Sequence, residues 1–355
     1  MIRLATPTST RVIFLPLFLL ICSIFFFLPQ TQKLPQSKMA ESLSRRYSDA
    51  YKRMFLIPRP DGTITRILPV VFPTAATSTA LCYKDSVINH VNRTWARLFL
   101  PKSGTKLPIL VFVHGGGFVN GGGADPVHQS LCAEAAGRLG VLIVSVNYRL
   151  APENRLPAAY DDVLEALTWV RDGKDEWVRQ FGDLSRCVIV GESAGGNIVY
   201  HVGLRAADRV DDLKPLIIRG LVLIQPFFGG LTRTASELRL QDDPYLPLHL
   251  TELMWNLALP VGSNRNHEYC NSRVGGGSGL LDRVRDLQWR VGVMASDDDP
   301  LFDVNVELVK LMERKGVRVT SKIIRGKGVR HGAFITFPPN KNEMFRFVRS
   351  LGFFS

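Results

Sequence analysis

Several features that mark other classes of protein are missing from this 355-residue sequence. Its five cysteines show neither the spacing of a metal site nor a disulfide framework, so neither kind of stabilisation is predicted. There is no internal repeat, which argues against a repeat architecture. No nucleic-acid-binding motif accompanies the net charge of +12, so DNA or RNA is not an expected partner.

The positive charge is concentrated near the C-terminus. From Lys310 to Ser355 there are 11 Lys or Arg residues against Glu313 and Glu343, a local excess of +9 (11 − 2). Such a block can attract an acidic substrate or an anionic membrane surface. It is also typical of solvated helix and strand faces, which is the interpretation that we favour.

One long hydrophobic run is present, at residues 12–28, with Arg3 and Arg11 before it. Its 17 residues are near the lower limit for spanning a bilayer. The run also resembles a signal sequence, but no good cleavage site follows it. We therefore predict membrane association through an uncleaved single-pass anchor, in the endoplasmic reticulum. The alternative is that residues 1–38 are an extension and a chain starting at Met39 lies in the cytoplasm.

Short apolar runs alternate with helix-like stretches in the rest of the chain. Residues 142–146 and 221–224 are apolar on both faces, as in a parallel sheet that helices cover. Helices are expected over residues 160–170 and 194–206. The alternation predicts an α/β fold with a doubly wound, mostly parallel sheet flanked by helices. The glycine cluster at residues 275–279 is expected to be a flexible surface loop.

A serine between glycines marks the most informative stretch, residues 191–195 with the sequence GESAG. It follows an apolar run, residues 187–190, that predicts a buried strand, and it precedes a predicted helix. The flanking glycines allow a turn so tight that the serine hydroxyl projects from a strained backbone. The pattern therefore predicts a nucleophile elbow with Ser193 as the nucleophile.

A glycine-rich loop follows another predicted strand, residues 109–113, and has the sequence HGGGF at residues 114–118. Cleavage of an ester passes through a tetrahedral oxyanion, which needs fixed N–H donors. Backbone N–H groups in a glycine loop are bare and can approach a substrate closely. We expect Gly116, Gly117 and Ala194, the residue after the nucleophile, to form this oxyanion hole.

The first two residues of the loop, His114 and Gly115, are expected to shape it rather than to react. A phosphate-cradling loop or a plain turn is the alternative interpretation. However, Asn120 stands where a dinucleotide-binding fingerprint requires its third glycine. The downstream serine therefore favours the oxyanion-hole interpretation.

The acid of a catalytic triad is expected after a later strand, because the elbow arrangement has the order Ser, acid, His. The strand at residues 289–295 is followed by four aspartates. We choose Asp299, since the Asp-Pro-Leu-x-Asp pattern usually places the acid directly before the proline. Asp303 is expected at the start of a helix, and Asp297 and Asp298 as solvated loop charges.

The base is predicted from chain order, because His331 is the one histidine of seven that lies beyond Asp299. It follows a predicted strand, residues 317–324, and lies in a glycine-containing loop. His331 would take the proton from Ser193 and later deliver it to the leaving alcohol. Asp299 would orient the imidazole and stabilise its cation.

Together these segments resemble the hormone-sensitive-lipase group of α/β-hydrolases, and the plant carboxylesterases are its most similar branch. The resemblance covers most of the chain, from about residue 47 to the C-terminus. The segments that carry it are HGGGF at 114–118, NYRLAPE at 147–153, LPAAYDD at 156–162 and GESAGGN at 191–197. One departure is Ala333, where members of the group commonly carry Phe, and this puts the pocket wall in question.

The resemblance implies an α/β-hydrolase domain over residues 39–355, with a helical cap built from about residues 40–57 and 226–280. It implies a serine hydrolase that cleaves small-molecule carboxylic esters through an acyl-enzyme, with no metal or organic cofactor. Two alternatives stay open: a dehydratase, lactone-forming transferase or cyclase, and a ligand-binding receptor. Gibberellin receptors on this scaffold have lost the histidine, so the presence of His331 favours an enzyme. The oligomeric state is not predicted.

Overall fold

The computed structural model describes residues 48–67, 81–102, 104–275 and 277–354, and its central element is an eight-stranded sheet. Along the chain the strands are β1 (Leu56–Pro58), β2 (Ile64–Arg66), β3 (Leu81–Asn89), β4 (Thr94–Pro101), β5 (Leu107–Val113), β6 (Leu142–Asn147), β7 (Gly182–Glu192), β8 (Ile218–Ile224), β9 (Arg290–Ser296) and β10 (Arg318–Ile324). β1 and β2 form a separate antiparallel pair, and the others form the sheet in the order β10-β9-β8-β7-β5-β6-β4-β3.

The six strands from β10 to β6 in this order are parallel to one another, whereas β4 runs antiparallel to both β3 and β6. The prediction of a mostly parallel sheet is confirmed. The carboxyl ends of β5, β7, β8, β9 and β10 therefore meet at one edge of the sheet. In open α/β sheets this edge is where ligands bind.

Helices cover both faces of the sheet. They are α1 (Pro126–Leu139), α2 (Ala158–Arg171), α3 (Glu176–Phe181), α4 (Ala194–Asp208), α5 (Ala235–Arg239), α6 (Leu248–Ala258), α7 (Gly277–Asp286), α8 (Phe302–Arg314), α9 (Ala333–Thr336) and α10 (Pro338–Ser350). Alternate residues of β5 enter two separate cores, as the period of two in a strand requires. Ile109 and Val111 pack with α2 and α4, and Leu110 and Phe112 pack with α1 and α10.

The expectation for the glycine cluster is wrong in part. Residues 275–279 were expected to form a flexible surface loop, but α7 begins at Gly277. The reason is the sequence that follows, because Leu281 and Val284 lie one helical turn apart and are both buried in the core. Burial of this apolar face favours a helix in spite of the low helix propensity of glycine.

The predicted anchor at residues 12–28 lies outside the described residues and stays a prediction. In the part of the chain that is described, no helix is both long and apolar enough to cross a membrane. All described residues belong to one compact unit, residues 47–355.

Candidate active site

Ser193 lies in the sharp turn between β7 and α4, with a φ of 54° and a ψ of −120°. A positive φ is rare and strained for a residue with a side chain. The turn demands glycine on both sides: a Cβ at Gly191 would meet the carbonyl oxygen of Gly195, and a Cβ at Gly195 would meet the carbonyl oxygen of Val113. The elbow geometry expected from GESAG is therefore present.

Of the three residues predicted as a triad, His331 lies within hydrogen-bond distance of both Ser193 and Asp299. His331 Nε2 is 2.8 Å from Ser193 Oγ, and His331 Nδ1 is 2.9 Å from Asp299 Oδ2. The second carboxylate oxygen of Asp299 accepts a hydrogen bond from the Leu301 N–H at 2.9 Å. This arrangement can move a proton away from the serine hydroxyl, as nucleophilic catalysis requires.

Opposing effects set the pKa of His331. Burial lowers it, but the charge and the hydrogen bond of Asp299, together with the charges of Glu192 and Asp243, raise it by more, so the pKa lies above 6.5. Asp299 is itself only 1 % exposed, which strengthens its attraction for the imidazolium. A histidine is suited to exchange protons near neutral pH, and the carboxylate stabilises the cation that it forms.

The glycine loop lies beside the elbow, because β5 and β7 are parallel neighbours and Val113 pairs with Gly191. Within the loop, Gly116 has a φ of 104° and Gly117 a φ of 62°, a region that residues other than glycine rarely adopt. Ala194 opens α4, and the first N–H groups of a helix have no acceptor within the helix. The structure thus brings the predicted oxyanion donors to one place, while their role stays a prediction.

A buried polar cluster lies behind the glycine loop. The Tyr148 hydroxyl donates to the carbonyl oxygen of His114 at 3.0 Å, and the two rings are stacked with centroids 4.2 Å apart. Burial and the neighbouring His128 lower the pKa of His114 to about 3, so its ring is neutral. Its Nδ1 lies 2.8 Å from the carbonyl oxygen of Gly115. His114 therefore supports the shape of the loop.

The residue before the nucleophile, Glu192, belongs to the same cluster. Its side chain is buried, and its Oε1 is 3.4 Å from His128 Nε2. A Cβ at Gly115 would collide with this carboxylate, so the glycine is needed for the carboxylate to approach the loop. The expectation that Gly115 shapes the loop thus has a steric basis.

Asp297 and Asp298, expected as solvated loop charges, lie in the loop after β9 and are only half-buried, but they also accept hydrogen bonds. Asp297 accepts the Gly326 N–H at 3.1 Å through each carboxylate oxygen, and Asp298 accepts the Gly328 N–H at 2.9 Å. Both glycines precede His331 in what we call the base loop, residues 325–332. Asp297 and Asp298 therefore each hold the base loop at a different residue. Hydrogen bonds from an N–H to an ionised carboxylate are stronger than those between neutral groups.

Sequence reasoning also missed two residues that hold the base loop on either side of His331. Gln225, at the end of β8, donates to the carbonyl oxygen of Arg330 at 3.2 Å and accepts the Gly332 N–H at 3.0 Å. Ser296 lies 3.0 Å from the same Gln225 side chain, and both are buried. The positive φ of Gln225, 44°, was not evident from the sequence.

Comparisons with known proteins agree with this geometry. The sequence profile of the α/β hydrolase fold family matches residues 110–335. Carboxylesterase 20 of Arabidopsis thaliana is 43% identical over 86% of this chain and 97% of its own length. The 3-O-acetylpapaveroxine carboxylesterase CXE2 of Papaver somniferum is 42% identical over 78% of this chain and 91% of its own.

The chain belongs to the plant carboxylesterases, a branch of the α/β-hydrolase family. This confirms the predicted family, fold and enzyme class. A solved esterase from Pyrobaculum calidifontis has the same fold, with a TM-score of 0.65 over 93% of this chain and 97% of that one, at 22% sequence identity.

One further contact links this carboxylesterase's predicted cap segment to its glycine loop. Met254, on α6, lies against Gly117, where a Cβ would collide with the methionine sulfur. Phe118, next in the loop, packs beside Trp255 of the same helix with ring centroids 5.3 Å apart. The α6 helix therefore forms a wall beside the predicted oxyanion hole.

Proposed function

We propose that this carboxylesterase works through a Ser193–His331–Asp299 triad and an acyl-enzyme intermediate. The observation that carries the proposal is the pair of short contacts on the two ring nitrogens of His331, 2.8 Å to Ser193 Oγ and 2.9 Å to Asp299 Oδ2. A histidine between a strained serine and a buried carboxylate is the arrangement that activates a serine hydroxyl.

The reaction has two halves. His331 takes the proton of Ser193 as the Oγ attacks the acyl carbon, and the proton then passes to the oxygen of the leaving alcohol. In the second half His331 takes a proton from water, which attacks the acyl-enzyme. The bond between the acyl carbon and Ser193 Oγ then breaks, and His331 returns the proton to Oγ as the acid leaves. The N–H groups of Gly116, Gly117 and Ala194 would hold the oxyanion in both halves.

The substrate is proposed to carry a small acyl group. Met254 and the glycine loop are in contact, so the space above Gly117 is restricted. The 42% identical relative is named for an O-acetyl compound, which is consistent with an acetyl-sized acyl part. We propose that residues 226–280, with a contribution from residues 48–57, form the cap that selects the substrate. The rest of the predicted segment 40–57 lies outside the described residues.

Hydrolysis of p-nitrophenyl acetate and butyrate by the full chain, beside its Ser193→Ala variant, tests the mechanism. We expect turnover that falls by about 10⁴-fold or more in the variant, as for loss of a triad serine. Labelling of the wild-type protein by a fluorophosphonate, and its absence in the variant, would identify the nucleophile. Folded protein that neither turns over an ester nor reacts with the fluorophosphonate would contradict the proposal and favour a receptor.

A further inference from the structure

A pocket of about 350 Å³ borders the proposed general base. His331 forms part of its wall, and the same imidazole is 2.8 Å from Ser193 Oγ. In ester cleavage the base returns its proton to the alcohol oxygen, so the leaving alcohol must lie against the imidazole. The pocket therefore borders the imidazole that would return the proton to the alcohol, and Ser193 itself is not part of its wall.

Aromatic rings line this pocket. Tyr245 and Phe337 are 55% and 49% exposed, so both rings are accessible to a ligand in the pocket. The short side chain of Ala333, also in the wall, leaves room that a larger residue would fill. Half-exposed rings around a cavity of this volume suit a flat aromatic group, because pockets for small molecules are concave and largely apolar.

A guanidinium group supplies charge to the same pocket. Arg330 is about half exposed, and its Nη1 is 3.7 Å from Asp243 Oδ2, a loose contact for an ion pair. Asp243 already accepts the N–H groups of Tyr245 and Leu246, each at 2.8 Å. The guanidinium can therefore also bind an anion in the pocket, and a planar carboxylate is an anion that arginine can bind through two parallel hydrogen bonds.

We propose that this pocket is the alcohol subsite and that it selects esters whose alcohol part is an aromatic ring carrying a carboxylate. The rings of Tyr245 and Phe337 hold the aromatic group, and Arg330 pairs with its charge. This inference rests on the proposed function, since it places the leaving alcohol beside His331.

The test uses two acetate esters that differ in charge at one position. 4-Acetoxybenzoate is anionic near neutral pH, and 4-acetoxybenzamide is its neutral counterpart. The measured quantity is kcat/KM for 4-acetoxybenzoate divided by kcat/KM for 4-acetoxybenzamide. Comparing this ratio between protein variants cancels the difference in intrinsic reactivity of the two esters. We expect the wild-type ratio to fall about fivefold in Arg330→Gln, because a half-exposed ion pair is worth no more than that.

Lys327→Gln is the matched control. Lys327 is exposed on the same loop and carries the same charge, but it is not part of the pocket wall. We expect its ratio to stay within twofold of the wild-type value. An unchanged ratio in Arg330→Gln would overturn the proposal, because it would show that Arg330 does not contact the carboxylate of the ester. An equal fall in Lys327→Gln would also overturn it, because any positive charge on the loop would then have the same effect.

A Tyr245→Ala variant tests the aromatic wall separately. We expect it to lower kcat/KM for phenyl acetate more than for ethyl acetate, and equal losses would refute the aromatic subsite.

Titration of Ser193→Ala with 4-hydroxybenzoate and with phenol separates a failure of the proposed pocket from a failure of the proposed hydrolase mechanism. If Ser193→Ala binds 4-hydroxybenzoate more tightly than phenol but the wild type hydrolyses no ester, the hydrolase mechanism is refuted and the pocket is not. If the wild type hydrolyses esters but Ser193→Ala binds the two ligands equally, the pocket is refuted and the mechanism is not.

Discussion

The two sides of the candidate site are built by different means. On the nucleophile side, a single added methyl group at Gly191 or Gly195 would strike backbone atoms. On the base side, a Cβ at Gly326, Gly328 or Gly332 would have no neighbour within 4 Å. The nucleophile is thus positioned by close packing of backbone against backbone. The glycines of the base loop have free space beside them, and hydrogen bonds hold that loop.

This difference has consequences for how each side fails. Backbone atoms of a packed strand and helix cannot move aside, so steric changes on the nucleophile side should be severe. The base side depends on particular polar side chains, Gln225 and the aspartates after β9, each of which contributes a share. Its losses should therefore be graded.

The largest effect is expected for Asp299→Asn. Burial lowers the pKa of His331, and nearby carboxylates, Asp299 first among them, together raise it by more, so the neutral base forms only as the pH rises through a value above 6.5. Without the carboxylate the low-pH limb of kcat/KM should move to lower pH. Its plateau should fall by about 10⁴-fold, as for loss of a triad carboxylate.

A pH profile of kcat/KM for p-nitrophenyl acetate checks this prediction. Asp303→Asn is the control, because Asp303 accepts the Ser236 N–H and makes no contact with the triad among the described residues. An Asp299→Asn profile with an unmoved limb would mean that another carboxylate sets the pKa of His331.

Gly195→Ala should give the next largest effect. Its methyl group would lie 2.7 Å from the carbonyl oxygen of His114 and would push the elbow away from the glycine loop. We expect kcat to fall by about 100-fold, the cost of roughly 1 Å of misplacement. Thermal unfolding should report a loss of about 1–3 kcal/mol for overpacking.

Gly137→Ala is the matched control for this substitution. Gly137 lies within α1 and a Cβ there meets nothing within 4 Å, so alanine should stabilise the helix by about 0.5–1 kcal/mol. A Gly195→Ala protein with wild-type stability and kcat would show that the backbone around residue 195 can shift to accommodate a methyl group without cost.

Local patterns explain why the nucleophile side could be predicted from the sequence. The GESAG turn and the HGGGF loop are short segments, and their glycines stand at positions where the close approach of the backbone leaves no room for a side chain. Ser193, Asp299 and His331 followed from their order along the chain and from the strands that precede them. Parallel strands then bring these residues together without further information, because their carboxyl ends share one edge.

The supports of the base loop could not be predicted in the same way. Gln225 and Arg330 are 105 residues apart, and Asp298 and Gly328 are 30 apart. No periodicity or spacing links such pairs, since their contact depends on how β8, β9 and β10 are aligned. Two adjacent aspartates in a loop are typical of a solvated turn, so their role became evident only from the structure.

Gln225→Met tests the base side by removing the amide while keeping the length of the side chain. The Gly332 N–H and the Arg330 carbonyl oxygen would lose their partner beside His331. We expect kcat to fall by about tenfold with KM nearly unchanged, and stability to fall by about 1–3 kcal/mol. Slower labelling by a fluorophosphonate would place the defect at activation of the serine.

The control for Gln225→Met is Gln180→Met on α3, where the glutamine bonds to Glu176 on the exposed helix surface. It should leave kcat unaltered. A Gln225→Met protein that loses stability but keeps kcat and its labelling rate would show that the amide supports the fold without positioning His331.

The smallest effect is expected for Asp298, and it separates geometry from charge. Asp298→Asn keeps an oxygen that can accept the Gly328 N–H, so kcat should change by less than about twofold. Asp298→Ala removes the acceptor and should lower kcat by about threefold to fivefold.

In neither variant should the low-pH limb of kcat/KM move, because Asp299 is the main source of the raised pKa of His331. A limb that shifts in both variants would mean that Asp298 acts through its charge, and the base side would then be an electrostatic rather than a hydrogen-bonded support.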